Sequence, residues 1–319
     1  MKAIVVKKAG SLEIVPADLP KLEENDVLVS QKYLGINYAD IQQTRGEMQY
    51  PFPFVPGVEA VGVIEKIGDA VKDLKVGQRV GYCTVLYGAY SEKRIVDQRY
   101  IIPIPDFVSN EVAAAMLFKG MVAHYLLRRL YIVQRQSTIL VHNADSDIGQ
   151  IICQWADFLQ AKVIGTVGSD ERAKIALNNG CQYALNYNDE DCAASVMEIT
   201  KNTGVNIVYD SIGLKTCRLS FESLAMFGIY AQYYNTSGNV PPIEQQILRS
   251  RSIFFTCPSI FHYKAHQFET SITAIEIFDL LKQNSIKPKV AKIYRFDEIH
   301  KAHQDLKQNN LNGQLIVKI

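Results

Sequence analysis

Residues 141–150 read Val141-His142-Asn143-Ala144-Asp145-Ser146-Asp147-Ile148-Gly149-Gln150. The apolar run Ser137-Thr138-Ile139-Leu140-Val141-His142 leads into them. Beyond them, apolar residues recur at Ile148, Ile151, Ile152, Trp155, Ala156 and Leu159. Spacings of i, i+3, i+4, i+7, i+8 and i+11 put these on one face of a helix of about three turns. The stretch is therefore the bend of a strand–turn–helix unit. The free N–H groups at such a helix start attract anions, phosphates included. Yet the bend holds one glycine and two aspartates.

Downstream the same rhythm repeats. Strands are expected at "AKVIGTV" (161–167), "NIVYD" (206–210), "GIYAQYY" (228–234) and "IFFTC" (253–257). Helices are expected within "SDERAKIALNNG" (169–180), with Gly180 as C-cap, and within "DEDCAASVMEITKN" (189–202) and "KTCRLSFESLAMF" (215–227). Such alternation implies an α/β fold with a parallel sheet covered on both faces by helices. Upstream, to about Pro103, short apolar or alternating runs are broken by Gly and Pro: "AIVV", "DVLVSQKYLGI", "GVEAVGVIEKIG", "DQRYIIPIP". These read as a small twisted β-barrel. A helix over 109–130 follows, with Ser109 or Asn110 as N-cap. Residues 289–319 read as strand, helix, strand. Their short antiparallel-type strands are expected to return to the barrel. The boundaries expected are 1–121 with 288–319 for the barrel, and 122–287 for the parallel sheet.

The chain of 319 residues has room for two cores, and 48% apolar with 21% charged residues is ordinary globular composition. A net charge of +1 gives no field favouring nucleic acid or anionic membrane. No apolar run reaches spanning length and no signal-peptide core is present, which points to the cytoplasm. The six cysteines form no C-x-x-C pair, so they read as core thiols rather than a zinc or disulfide frame.

In a Rossmann turn the first glycine permits the bend, the second admits the pyrophosphate, and the third packs helix on strand. Here those positions are Ala144, Ser146 and Gly149. Ser146 brings a hydroxyl able to donate to a phosphate. Asp147 reads as an N-cap and Asp145 as a solvated loop residue, or both as carboxylates competing with a ligand phosphate. At the end of the second strand an NAD-preferring fold places an acid. This chain has Thr166-Val167-Gly168-Ser169, with Arg172 a turn later, which suits a 2′-phosphate.

Longer stretches carry a resemblance: "GINYAD" (35–40), "PFVPGVEAVGVIEKIG" (53–68), "VGQRVGY" (76–82), "YGAYSEKRIV" (87–96), "FKGMVAHYLLRR" (118–129), "IICQWADFLQAKVIGTVGSDERA" (151–173), "NYNDED" (186–191), "VYDSIG" (208–213) and "YYNTSG" (233–238). Nearly end to end, the chain resembles the zinc-independent, zeta-crystallin-like quinone oxidoreductases of the medium-chain dehydrogenase/reductase superfamily. The resemblance implies a GroES-like β-barrel with a Rossmann domain, NADPH as cofactor, and hydride or electron transfer to a quinone or enone in an interdomain cleft. It also implies a homodimer, for which the edge strand "SIFFTC" (252–257) is a candidate. Position by position, Asn37 matches the asparagine beside the nicotinamide, and Lys119 and Gly120 match the "KG" pair. Gly168, Ser169, Arg172 and Tyr187 match the group around the 2′-phosphate, and Ala144, Ser146, Ile148 and Gly149 fall in the phosphate turn. Tyr233, Asn235, Thr236 and Ser237 match the strand end near the nicotinamide. Tyr50 either lines the substrate cleft or packs on its prolines. Zinc-dependent relatives carry a cysteine in the Asn37 region and a histidine before the glutamate; here Asn37 or Tyr38, and Val58 beside Glu59, stand there, so no metal is expected.

Four departures bear on the cofactor. The family's "AAGGVG" turn is "ADSDIG" (144–149), a threonine after "KG" is read as Ala123, and two arginines are Cys257 and Asn309. Two other readings therefore remain beside the reductase: a cofactor-impaired binding or scaffold protein, and a reductase of enoyl thioesters. His142 reads as structural, and the pair His300 and His303 as a solvated helix face.

Overall fold

The computed structural model describes residues 1–48, 50–84, 86–263, 267–309 and 311–319. Packing divides the chain into two compact units, Met1–Met121 with Lys264–Ile319, and Val122–Tyr263. The first unit opens with β1 (Lys2–Val5), β2 (Glu13–Pro16), β3 (Asp26–Gly35), α1 (Tyr38–Arg45), β4 (Glu59–Ile67), β5 (Arg79–Cys83), β6 (Lys93–Asp97), β7 (Ile101–Pro103) and α2 (Asn110–His124). The second contains β8 (Thr138–His142), α3 (Asp147–Phe158), β9 (Lys162–Val167), α4 (Asp170–Leu177), β10 (Tyr183–Asn186), α5 (Cys192–Ile199), β11 (Val205–Asp210) and α6 (Cys217–Ser223). It continues through β12 (Leu224–Gln232), α7 (Gln245–Arg251), β13 (Phe254–Thr256) and α8 (Ile260–Tyr263). The chain returns with α9 (Gln267–Lys282), β14 (Val290–Arg295), α10 (Ile299–Gln308) and β15 (Gln314–Lys318).

In the first unit β3 is the spine of a seven-stranded sheet. It pairs antiparallel with β4 along one edge, and with β6 and β15 along the other. Inward residues of these strands, among them Val27, Val29, Leu34, Ile64 and Val317, form one core with Tyr82 and Tyr90. The antiparallel expectation for the last segment needs a correction: β14 and β15 are joined by α10 and pair parallel, and only β15 pairs antiparallel with β3. Helix α2 is apolar nearly all round because it is buried nearly all round, from Ala113 to Ala123. Its start is held by Ser109, whose Oγ accepts from Val112 N at 3.2 Å. Residues 267–287 group with the first unit rather than with the parallel sheet as expected. The reason is packing: α9 buries Ile277 and Phe278, Ile277 lies against Gly120, and the Lys282 amine sits 6.0 Å from the Phe107 ring centre.

The second unit is a six-stranded, fully parallel sheet in the order β10-β9-β8-β11-β12-β13. That order runs outward both ways from β8 and β11, so the turn after β8 and the loop after β11 flank its topological switch point. Helix α4 is capped by Asn178, not Gly180; the glycine, at φ +97, sits two residues later, where Cys181 N donates to Ala176 O. Gly149 does pack helix on strand, since a Cβ there would strike the Asn143 carbonyl oxygen and Ala144 Cα. Backbone cannot yield as a side-chain tip can. Gly149→Ala is therefore expected to cost 1–3 kcal/mol, roughly the penalty for overpacking. Urea unfolding would check it, and an unchanged midpoint would show that α3 rides further from β8 than described.

Candidate functional site

Each unit carries its own polar cluster. In the second unit, β8 delivers the turn. Ser146 is the N-cap of α3, and its Oγ accepts from Gly149 N at 3.1 Å. Asp147, expected as the cap, is instead the first helical residue, and its Oδ1 accepts from Ile148 N at 2.8 Å. The N–H groups that would meet a phosphate are thus met by the helix's own side chains. Asp145 corrects the reading of a solvated loop residue more sharply. It is 1% exposed and forms an ion pair with the Arg172 Nε. Asp145 Oδ1 and Arg172 Nη2 are both buried without a hydrogen-bond partner.

Around that pair lie the other residues assigned to the 2′-phosphate. Gly168 faces the Tyr187 phenol, where a Cβ would come within 2.9 Å of Tyr187 Oη. Burial first, then the Asp145 carboxylate, push the Tyr187 phenol up, and Arg172 opposes them. Ser169 precedes α4 and hydrogen-bonds the Glu171 carboxylate, holding it below its ordinary range. Asn188 Nδ2 donates to Gly168 O at 2.9 Å.

Beyond β11, Asp210 collects the loop. Its Oδ1 accepts from Ile212 N and Gly213 N, and its Oδ2 from Thr216 Oγ1 at 2.8 Å and Tyr230 Oη at 2.7 Å. The strand-end group is tied to this loop rather than held open. Thr236 Oγ1 donates to Ser211 O at 3.1 Å and Ser237 Oγ to Ile212 O at 2.8 Å, while Asn235 donates to Asn239. Tyr233 is buried, its phenol pushed far up by that burial. His142 is structural as read: fully buried, with Nδ1 2.7 Å from Thr166 Oγ1 and Nε2 3.0 Å from Ser220 Oγ.

In the first unit Asn37 is locked. Its Nδ2 donates to Glu59 Oε2 at 3.0 Å, and its Oδ1 accepts from Lys119 Nζ at 3.0 Å. Lys119 also donates to Ile36 O at 3.0 Å, and Glu59 Oε1 accepts from Phe118 N at 2.7 Å. A Cβ at Gly35 would overlap the Glu59 carboxylate, so only glycine lets it in. Asp40 lies below Asn37, accepting from Asn37 N at 2.9 Å and from Tyr90 Oη at 3.1 Å. Tyr90 Oη lies 2.8 Å from His303 Nε2. His303 is therefore no solvated residue: it is 4% exposed, and burial lowers its pKa to about 3. His300 is exposed as read. Tyr50 joins an aromatic group, with ring centres 4.4 Å from Tyr87 and 5.5 Å from Phe54.

Sequence reasoning missed Glu59, Asp40 and Asp210 as organisers. The signal available was an acid at a strand start, a helix first turn and a strand end, each inside an apolar run where a lone charge needs partners. The threonine counterpart also needs a correction: counting from Lys119-Gly120, the "KG-x-T" spacing falls on Val122 rather than Ala123. Both are buried and neither has a hydroxyl. Asn309 ends α10 in the left-handed region, at φ 50.

A GroES-like unit and a parallel sheet of Rossmann order in one chain define a dehydrogenase-type architecture. Residues 23–106 match the alcohol dehydrogenase GroES-like domain family, and residues 148–276 the zinc-binding dehydrogenase family. Quinone oxidoreductase 1 of Escherichia coli is 36% identical over 96% of this chain and 94% of its own. A 2-haloacrylate reductase of a Burkholderia species is 33% identical over 99% and 98%. The crystal structure of an Escherichia coli quinone oxidoreductase complexed with NADPH superposes with a TM-score of 0.96 at 33% identity, covering all of both chains. The chain belongs to the quinone oxidoreductases of the medium-chain dehydrogenase/reductase superfamily. The second matched family is named for zinc, yet among the described residues no three His, Cys, Asp or Glu side chains group as a metal site.

Asp40 gives the first unit a pH signature. Burial raises its pKa from 3.8 to about 7, against the pull of the hydrogen bonds from Asn37 and Tyr90. Folding therefore takes up a proton between those values. The stability tied to this group is full below about pH 4 and falls as pH rises to about 7. At ~1.4 kcal/mol per pH unit the loss is at most ~4 kcal/mol. Asp40→Asn should match the parent in urea at pH 4 and exceed it at pH 8. A pH-independent difference would count against the assignment.

Proposed function

We propose that this protein is an NADPH-dependent oxidoreductase that reduces a small quinone or enone without a catalytic metal. The observation that carries the cofactor is Arg172 in the first turn of α4, the helix that follows β9, where a buried guanidinium nitrogen has no partner; an NAD-preferring sheet would place an acid at the end of that strand. A phosphate oxygen meets that need. Gly168 leaves the backbone open beside Tyr187, and Ser169 borders the same spot. Bound NADPH supplies the hydride. The chain's own task is to hold and orient: the turn Ala144–Gly149 bends tightly enough for a pyrophosphate to approach, and the Asp210 loop fixes the strand end from Tyr233 to Ser237. In the first unit the Asn37 amide is held from both sides by Glu59 and Lys119. A preset amide and ammonium add orientation without further ordering cost. The quinone class follows the quinone oxidoreductase relatives, and the 2-haloacrylate reductase is named for a substrate with an activated, conjugated alkene, the feature an enone shares.

A second reading, a cofactor-impaired binding protein, rests on the self-capped turn, where Ile148 N and Gly149 N already have acceptors. Titration with NADPH under thermal unfolding separates the two. At 100 times its dissociation constant a ligand adds ~2.7 kcal/mol. A rise with NADPH, together with NADPH oxidation by a benzoquinone, supports the reductase; no rise at millimolar NADPH removes it.

A homodimer through the second unit's sheet edge belongs to the same proposal. β13 ends the sheet, and Phe254 there is 60% exposed. Sedimentation at micromolar protein should give twice the chain mass, with Phe254→Asp reverting it to one.

A further inference from the structure

The turn after β8 does more than bend. Asp145 reaches from it to the first turn of α4, the helix that follows the neighbouring strand β9, where its Oδ2 pairs with Arg172. The acid that an NAD-preferring sheet places at the end of its second strand is absent from that strand itself. Asp145, from the turn after the first strand, supplies a carboxylate to Arg172 just beyond that strand. Two buried valences are left over, one of each kind: Asp145 Oδ1, an acceptor, and Arg172 Nη2, a donor. A ribose carrying a 2′-hydroxyl can donate to the first. A ribose carrying a 2′-phosphate can accept from the second, but must lie beside a carboxylate that already neutralises the guanidinium.

We propose that Asp145 is a specificity-determining residue. By holding Arg172 in a buried ion pair it suppresses the preference for a 2′-phosphate and lets the chain take NADH as well as NADPH. The inference rests on the reductase reading above and concerns its adenosine end alone. Asp145 acts through two contacts, a charge cancelled on Arg172 and an acceptor offered to a hydroxyl. Both pull in the same direction. The ion pair is also secure: Asp145 is 1% exposed, and the Arg172 side chain 22%. With its carboxylate enclosed, the pair is screened less than one between two exposed side chains.

The test is equilibrium binding of NADPH and NADH, followed by nicotinamide fluorescence, to the parent, Asp145→Asn and Arg172→Gln. Adenosine 2′,5′-bisphosphate and adenosine 5′-monophosphate serve as competitors that isolate the subsite from the pyrophosphate. Asp145→Asn should raise the NADH-to-NADPH ratio of dissociation constants at least tenfold, equivalent to 1.4 kcal/mol, and the bisphosphate should gain by the same factor over the monophosphate. Arg172→Gln should bring the two nucleotides together. A ratio unchanged within twofold in Asp145→Asn, with the parent binding both nucleotides, overturns the inference and leaves the reductase intact. Binding of neither nucleotide by any of the three proteins overturns the reductase reading, and this one with it. If Asp145→Asn does not fold, the parent alone decides. A cancelled Arg172 makes its NADPH-to-NADH ratio nearly flat from about 0.05 to about 0.5 M salt, whereas an uncancelled one makes NADPH lose selectively.

Discussion

A carboxylate taken out of water must be met by donors, or its burial is prohibitive. Four acids are buried among the described residues: Asp40, Glu59, Asp145 and Asp210. Each stands where chain direction changes. Asp210 ends the central strand β11 and gathers the next loop's N–H groups together with the hydroxyls of Thr216, which caps α6, and of Tyr230 in β12. Glu59 starts β4 and reaches across to the backbone of α2 through Phe118 N. Asp40 sits in the first turn of α1 and holds the residue before it. Apolar packing supplies the stability of both units, but it is non-directional. The acids supply direction, since each oxygen accepts only from donors placed within hydrogen-bond reach.

The architecture was legible in the sequence because it is periodic. The i, i+3, i+4 stripe from Ile148 fixes α3, and apolar strands alternating with such stripes can only be a covered parallel sheet. What was not legible depends on partners far along the chain. His303 and His300 share one helix, and nothing local says that the first meets Tyr90, more than 200 residues away, while the second meets water. The same holds for Asp145. A short polar loop reads as solvated, and only the placement of β9 beside β8 brings Arg172 to it. The parallel pairing of β14 with β15 also escaped, because α10 between them could have served an antiparallel return equally well.

For the candidate site, residue types were easier to read than their availability. Ser146, Thr236 and Ser237 carry hydroxyls that suit a ligand; Thr236 and Ser237 donate theirs to the chain's own carbonyls, and the Ser146 oxygen accepts from Gly149 N. Lys119 and Asn37 form one unit with Glu59, so the amide is oriented before any ligand arrives. A side chain's chemistry is a property of its type. Its freedom is a property of the fold, and one strand register decides whether a hydroxyl faces a carbonyl or an opening.

The two aspartates of the turn are therefore not equivalent, although composition counts them alike. Asp147 is half-buried at the first position of α3, and its Oδ1 closes on the N–H of the very next residue. An arriving phosphate would exchange one acceptor for another at that N–H while the carboxylate swings into water. An exchange of hydrogen bonds of this kind is nearly balanced, with a net of about 1 kcal/mol either way. Asp145 has no such exit. It is enclosed, it faces Arg172, and rotating it away would leave a half-buried guanidinium without its partner. Breaking a buried pair in that manner costs roughly 3–5 kcal/mol. A nucleotide must accept Asp145 where it stands, whereas it can displace Asp147. The weakening read from two added charges thus separates into a small term at the pyrophosphate and a fixed one at the ribose, and the fixed one acts on which cofactor binds more than on whether one does.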